Sequence, residues 1–237
     1  MSYIVVNKAG VEHRFALAPG AENDWINNFL LKDFAQWENE TFVDFQRVND
    51  SEWKIAIDIG AWVGTTAIWL SKHYDSVHVV EADPVSLIQL RANLEASVCS
   101  NVVVWGQPIS DKEEIVYFGP NKEGTQCFNT SMSQIKTKRT SPIDTELKTI
   151  TLEQIVAQCE KPIGLIKIDI EGGEENLVET VLKYAQLHKT CVHLSFHITW
   201  WENKDIGRYS EIFGEKAVQL TSLLRLNPFA SIFFDYR

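Results

Sequence analysis

Short apolar runs alternating with stretches of helical periodicity constrain this chain more than any other feature. Residues 55–59, 77–80, 102–105, 165–170 and 192–198 read as strands rich in Val and Ile. Between them, 65–72, 84–96, 151–158 and 174–188 carry helical spacing, with Asp83 as N-cap and Pro84 at the first helical position. Residues 207–226 also read as largely helical, and 231–234 as a last strand. Strands joined through helices of this length run parallel, so the pattern predicts an α/β fold with a doubly wound, mostly parallel sheet. Ahead of it, 3–6 and 11–17 predict a hairpin, and Trp25, Ile26, Phe29, Leu30 and Phe34 give a helix over 23–37 one apolar stripe. The chain divides on this reading into an N-terminal hairpin and helical cap, 1–50, and an α/β domain, 51–237. The polar stretch 119–148 is expected to be a mobile loop of that domain.

Composition then removes partners. The 237 residues carry 32 acidic against 22 basic side chains, a net charge of −10. That balance argues against binding nucleic acid through its phosphates or docking on an anionic membrane. Lys136, Lys138 and Arg139 form the one local basic run. Cys99, Cys127, Cys159 and Cys191 are too scattered for a zinc cage or a redox pair, and are expected to be reduced thiols of a cytoplasmic protein. Neither a signal peptide nor an apolar run of the ~20 residues needed for a membrane span is evident.

Open α/β sheets bind ligands where their strands end in carboxyl-terminal turns. The first such turn reads Asp58-Ile59-Gly60-Ala61-Trp62-Val63-Gly64, which is Asp-x-Gly-x-x-x-Gly and not the Gly-x-Gly-x-x-Gly of dinucleotide sites. A carboxylate at Asp58 would repel a pyrophosphate but suits a ligand bearing an ammonium and a sulfonium. Glycines at 60 and 64 let the backbone approach that ligand. S-adenosylmethionine is such a ligand, cationic near its reactive centre and free of phosphate. Glu81 closes the next strand, roughly 20 residues on, where an acid can accept both hydroxyls of a ribose. No Gly-Lys-Ser/Thr and no Tyr-x-x-x-Lys occurs, which counts against a P-loop and a nicotinamide dehydrogenase.

These segments, with Val80-Glu81-Ala82-Asp83-Pro84, Asn93, Ile109-Ser110-Asp111 and above all Leu165-Ile166-Lys167-Ile168-Asp169-Ile170-Glu171-Gly172-Gly173-Glu174, resemble FkbM-type S-adenosylmethionine-dependent methyltransferases. The likeness runs from about Trp37-Glu38 to Leu182. It implies a Rossmann-like, class I methyltransferase fold and O-methylation of a sugar, glycan or secondary-metabolite hydroxyl. It further implies that Asp58, Gly60 and Gly64, with Ala61 and Trp62 between them, hold the methionine end. Glu81 beside Ala82 would take the ribose, and Ser110 with Asp111 would lie near the adenine. The chain departs from the family at Trp62, where Asn is usual.

Methyl transfer to a hydroxyl needs alignment and removal of a proton. Asp169 and Glu171, two residues apart at a strand end, would share one side if the strand persists. His193, Ser195 and His197 alternate with apolar residues, and His197 at the strand end is a candidate base. Asp169, Glu171 and His197 are therefore the expected catalytic residues. A metal held by the three is weighed lower, and none is expected. Trp200 and Trp201 suit either a sugar-stacking wall or the core. Alternatives kept open are an NAD-dependent oxidoreductase and a non-catalytic cofactor-binding module.

Overall fold

In the computed structural model, which describes residues 2–17, 24–48, 54–120 and 133–237, the chain enters as an antiparallel hairpin of β1 (Tyr3–Lys8) and β2 (Val11–Ala16). α1 (Asp24–Lys32) then stops short of the expected helix end, and Asn23 lies outside the described residues. A 3-10 turn at Phe34–Gln36 and a left-handed Glu38 (φ 44°) swing the chain into α2 (Asn39–Val48), which the periodicity did not anticipate. The break has a visible cause. The buried Lys8 ammonium donates to the carbonyls of Ala35 and Trp37 and to Asn39 Oδ1, taking acceptors that a continuing helix would use itself.

The alternating section follows as β3 (Ile55–Ile59), α3 (Thr65–Ser71), β4 (Ser76–Val80), α4 (Pro84–Ala96) and β5 (Val102–Trp105). Asp83 caps α4, its Oδ1 accepting the N–H groups of Val85 and Ser86. β6 (Ile115–Pro120), β7 (Ser133–Lys136) and β8 (Thr145–Lys148) form a small antiparallel sheet in the order β7-β6-β8. The stretch expected as a loop over 119–148 thus contributes strands, while 121–132, with Cys127, lies outside the described residues. Lys136 is spent on Asp144, and Arg139 on the carbonyls of Pro142 and Asp144. After α5 (Leu152–Val156) come β9 (Ile163–Ile168), α6 (Val178–His188), β10 (Cys191–Ser195), α7 (Ser210–Phe213), α8 (Ala217–Leu226) and β11 (Ser231–Phe234). Gly214 (φ 57°) separates α7 from α8, where one helical run is expected.

The main sheet has the order β11-β10-β9-β3-β4-β5, parallel throughout except for β11, which runs against β10. Its direction of winding reverses between β3 and β9, the position where such sheets open a crevice. Alternate residues of β3 feed two cores. Ile55, Ile57 and Ile59 pack with α5, α6 and the C-terminal helices. Ala56 lies in the opposite layer, with Phe42 and Phe45 of α2, Ile68 and Trp69 of α3, and Phe15 of the hairpin. Asn93, fully buried, ties that hairpin to the glycine turn, accepting from Ala16 N–H and donating to the Val63 carbonyl.

Two strands end earlier than their sequences suggest. β9 stops after Ile168: Asp169 N–H makes the last ladder bond, to the Ile59 carbonyl (2.9 Å), and the chain then turns away through left-handed Glu171 (φ 55°) and Gly172 (φ 103°). β10 stops at Ser195, which leaves His197 in the turn beyond the strand. Among the described residues no helix is long and apolar enough to cross a membrane. Cys99, Cys159 and Cys191 are free thiols.

Candidate active site at the carboxyl end of the sheet

The ends of β3, β4 and β9 surround a cleft, walled on the far side by Phe118 of β6 and Ser133 and Ile135 of β7. Gly60, Trp62, Glu81, Ala82, Asp169 and Glu171 reach it. Among the described residues no lysine or arginine does.

The floor is a clamp of backbone. Gly60 and Ala61 donate to the Val80 carbonyl, joining the turn after β3 to the end of β4. Gly60 holds φ 83°, and a Cβ there would stand 1.8 Å from the Asp169 carbonyl oxygen, so only glycine lets the β3 and β9 ends close. Gly64 (φ 92°) lies behind the cavity as the N-cap of α3, packed toward Leu90. Trp62 (φ 49°) stacks on Trp25 of α1 at 5.8 Å, which brings the N-terminal helix against the turn.

Glu81 is buried at the end of β4 and accepts the N–H groups of Trp62 and Asp83, each at 2.7 Å. Burial pushes its carboxyl up to about 8. Asp83 Oδ2 accepts Ser133 Oγ at 2.7 Å and so holds β7 over the opening.

Asp58 does not line the cavity. It is fully buried beneath it, taking a hydrogen bond from Thr66 Oγ1 (2.6 Å) and facing Lys167 Nζ at 3.3 Å. Lys167 also donates to the Gly60 carbonyl (2.9 Å) and lies 3.8 Å from Asp169. Burial works to lower this lysine, but Asp58, Asp169 and Glu38 around it outweigh that and hold it above its ordinary value. Ala61 is buried in the turn. Ser110 bonds to Asp111 and to the Ile150 carbonyl, and neither Ser110 nor Asp111 faces the cavity, although Pro108 and Ile109 do.

Asp169, Glu171 and His197 come together, though not as neighbours on two strands. The turn after β9 carries the acids and the turn after β10 the imidazole, whose Nε2 lies 3.7 Å from Asp169 Oδ1 and 3.5 Å from Glu171 Oε2. His193, expected on the same face, instead meets Thr41 and Asp44 of α2. Burial pushes Glu171 up to about 7. Burial works against charge on His197 as well, but the hydrogen bond it donates to Glu174 and the three acids around it raise the imidazole to about 9.

Two acids at this site escape sequence reasoning. Glu174, fully buried, accepts Ile170 N–H (3.2 Å) and His197 Nδ1–H (2.6 Å) on Oε1, and Gly172 N–H (2.9 Å) and Trp201 Nε1–H (3.2 Å) on Oε2. It closes the segment that carries the family resemblance, but its place after two glycines reads as an ordinary helix start and assigns it no role. Glu38, in the turn before α2, has its carboxyl pushed up to about 7 by burial and by Asp169; nothing in the local pattern marks it. Trp200 stacks on His197 at 5.2 Å with Phe229 edge-on, while Trp201 is core.

The sequence matches a family model described as the methyltransferase FkbM domain over residues 58–214, more than half of the chain. No curated protein matches it. Among solved structures, the FkbM methyltransferase of Methylobacillus flagellatus KT is 16% identical, with TM-score 0.45, covering 72% of this chain. This chain spans only 41% of that protein's length. An O-methyltransferase of Bacillus cereus in complex with S-adenosylhomocysteine is 14% identical, with TM-score 0.43, over 90% of this chain and 83% of its own. An rRNA methylase of Streptococcus thermophilus is 8% identical, with TM-score 0.46, over 76% and 82%. These are distant likenesses, and the substrates named for those proteins belong to them.

Proposed function

The chain belongs to the FkbM methyltransferase family, and on that premise we propose that it is an S-adenosylmethionine-dependent O-methyltransferase acting on a hydroxyl of a sugar, glycan or secondary metabolite. One observation carries the reading. The cavity at the winding reversal is lined by Glu81, Asp169 and Glu171 and, among the described residues, by no lysine or arginine, a donor set that fits a cationic ligand without phosphate. When bound, S-adenosylmethionine supplies an electrophilic methyl group on a sulfonium.

The chain's own residues do the rest. Glu81 accepts the ribose hydroxyls while its two backbone N–H bonds keep the carboxylate oriented. Trp62 and Gly60 line the same cavity as that carboxylate and Asp169. Asp58 and Lys167 hold the glycine turn from beneath. Glu171, with a carboxyl at about 7, is matched to accept a hydroxyl proton near neutral pH. Asp169 orients the incoming group, and His197 balances the two acids.

Calorimetric titration with S-adenosylhomocysteine tests the cofactor. Wild-type protein binds it and Glu81→Ala does not; no binding by wild type, or equal binding by the variant, overturns the reading. A homocysteine-release assay across sugar and polyol acceptors tests the O-methyl step, and turnover confined to amine or carbon acceptors would refute it.

A further inference from the structure

Asp169, Glu171 and His197 enclose a gap that no hydrogen bond fills. Their donor atoms lie within 4.8 Å of one another, and the two contacts to the imidazole nitrogen, 3.5 and 3.7 Å, are longer than the roughly 2.7–3.2 Å of an N–H···O bond. Glu171 Oε2 is sealed from solvent and has no hydrogen-bond partner among the described residues. Leaving a buried polar atom so placed is costly, on the order of 1–3 kcal/mol. Two ligand atoms each about 2.1 Å from one ion, at a tetrahedral angle, stand about 3.4 Å apart. The two distances to the imidazole are therefore too long for hydrogen bonds and match the separation of ligands on one ion.

A second feature comes from outside the three. Glu174 takes the Nδ1 proton of His197 at 2.6 Å, which fixes the ring and leaves Nε2 turned toward the two carboxylates. A carboxylate on the far nitrogen is how imidazoles bound to metal are oriented.

We propose that Asp169 Oδ1, Glu171 Oε2 and His197 Nε2 bind one divalent cation. Two carboxylates and an imidazole suit Zn²⁺, Mn²⁺ or Fe²⁺ and exclude a preference for soft Cu⁺. Because Asp169 and Glu171 also line the cavity, the positions that three protein ligands leave open face a ligand there. Loading places the ion between the carboxylates, the imidazole binds in its neutral form, and a proton on Nε2 leaves to solvent. In the reaction the ion holds the acceptor oxygen and lowers the pKa of its hydroxyl. That role rests on the methyl-transfer reading, whereas binding of the ion does not.

The test is calorimetric titration of chelator-treated full-length protein with Mn²⁺ and, separately, Zn²⁺. One ion per chain is expected, with affinity at least tenfold weaker in Glu171→Gln and in His197→Gln and unchanged in Asp111→Asn. Glu171→Gln is the decisive variant, since it keeps the side chain's size and removes no other partner; a melting curve on each protein checks the fold. Failure of both ions to bind wild type, or equal binding by Glu171→Gln, overturns the site. S-adenosylhomocysteine titrated into the same metal-free protein separates the two readings. Its binding without ion uptake refutes the cation site alone, and ion uptake without its binding refutes the methyltransferase reading alone.

Discussion

Replacing Glu174 by glutamine changes one atom of a fully buried side chain, and the structure says what that costs. The carboxylate accepts four N–H donors, two on each oxygen. A glutamine amide offers one oxygen and one NH₂ group, so in either flip two donors face another donor. With the NH₂ on one side, Ile170 N–H and His197 Nδ1–H are orphaned; on the other, Gly172 N–H and Trp201 Nε1–H are. Each buried donor without an acceptor costs about 1–3 kcal/mol. Glu174→Gln should therefore lose about 2–6 kcal/mol, a large share of the roughly 5–15 kcal/mol that holds a domain together. At roughly 2–4 °C per kcal/mol for a chain of this size, melting should fall by about 10 °C. Guanidinium denaturation at equal slope measures the loss. Nuclear magnetic resonance titration of His197 should show its pKa falling below about 9, because the principal partner of the imidazolium is gone. A loss under about 1 kcal/mol, or a His197 titration that does not move, would refute the four-donor geometry. Exposed Glu179, paired only with Lys183 one turn on, is the control and should change little when made glutamine.

Three further outcomes follow from the same contacts. Gly60→Ala drives a Cβ to 1.8 Å from the Asp169 carbonyl at φ 83°, so the ends of β3 and β9 must part; melting and S-adenosylhomocysteine binding should both drop, and an unchanged melt contradicts the clamp. Lys167→Met strips Asp58 of its buried counter-charge and should cost about 3–5 kcal/mol, with part recovered when Asp58→Asn is added; no recovery in the double mutant would show the two are not coupled. Glu81, Glu171 and His197 all have folded pKa values raised above their unfolded ones, so the folded state binds the extra protons and stability falls as they leave. Their contributions are whole below about pH 4.5 for the acids and 6.5 for the imidazole, and are lost as pH climbs through about 7, 8 and 9. Stability should therefore decline from pH 6 to 9.5 by several kcal/mol, on the order of 5 for coupled groups, and a melting temperature that rises across that window would contradict it.

The parts of the fold legible in sequence are those where local chemistry and tertiary context agree. β3, β5, α4 and β11 need only an apolar run, a cap and a boundary residue, and they lie where the pattern puts them. What the pattern misplaces are ends set by distant partners. β9 ends at a turn that buried Glu174 holds through the N–H groups of Ile170 and Gly172, and the N-terminal helix breaks because Lys8, far upstream, collects its carbonyls. The site divides along the same line. The spacing of Gly60 and Glu81 reflects the ends of β3 and β4, which periodicity locates. Glu38 joins them through a left-handed turn, and Glu174 by facing inward from what reads as an exposed helix start, so both depend on contacts that no local window contains. Asp58 shows the converse, a motif residue whose carboxylate lies one layer below the cavity, bound to Lys167.

That layering explains why so acidic a site can fold. Asp58 and Lys167 neutralise each other under the floor, and Glu174 is covered by four donors, so neither needs a ligand. At Glu38, Glu81 and Glu171 burial outweighs the positive charge nearby, and the fold tolerates them by raising their carboxyls to about 7, 8 and 7. A raised carboxyl holds its proton in place of a cation. Anything positive that enters the cavity, the sulfonium of a methyl donor or an ion between Asp169 and Glu171, takes over that part, releases the proton, and gains the Coulomb energy of a carboxylate already positioned to receive it.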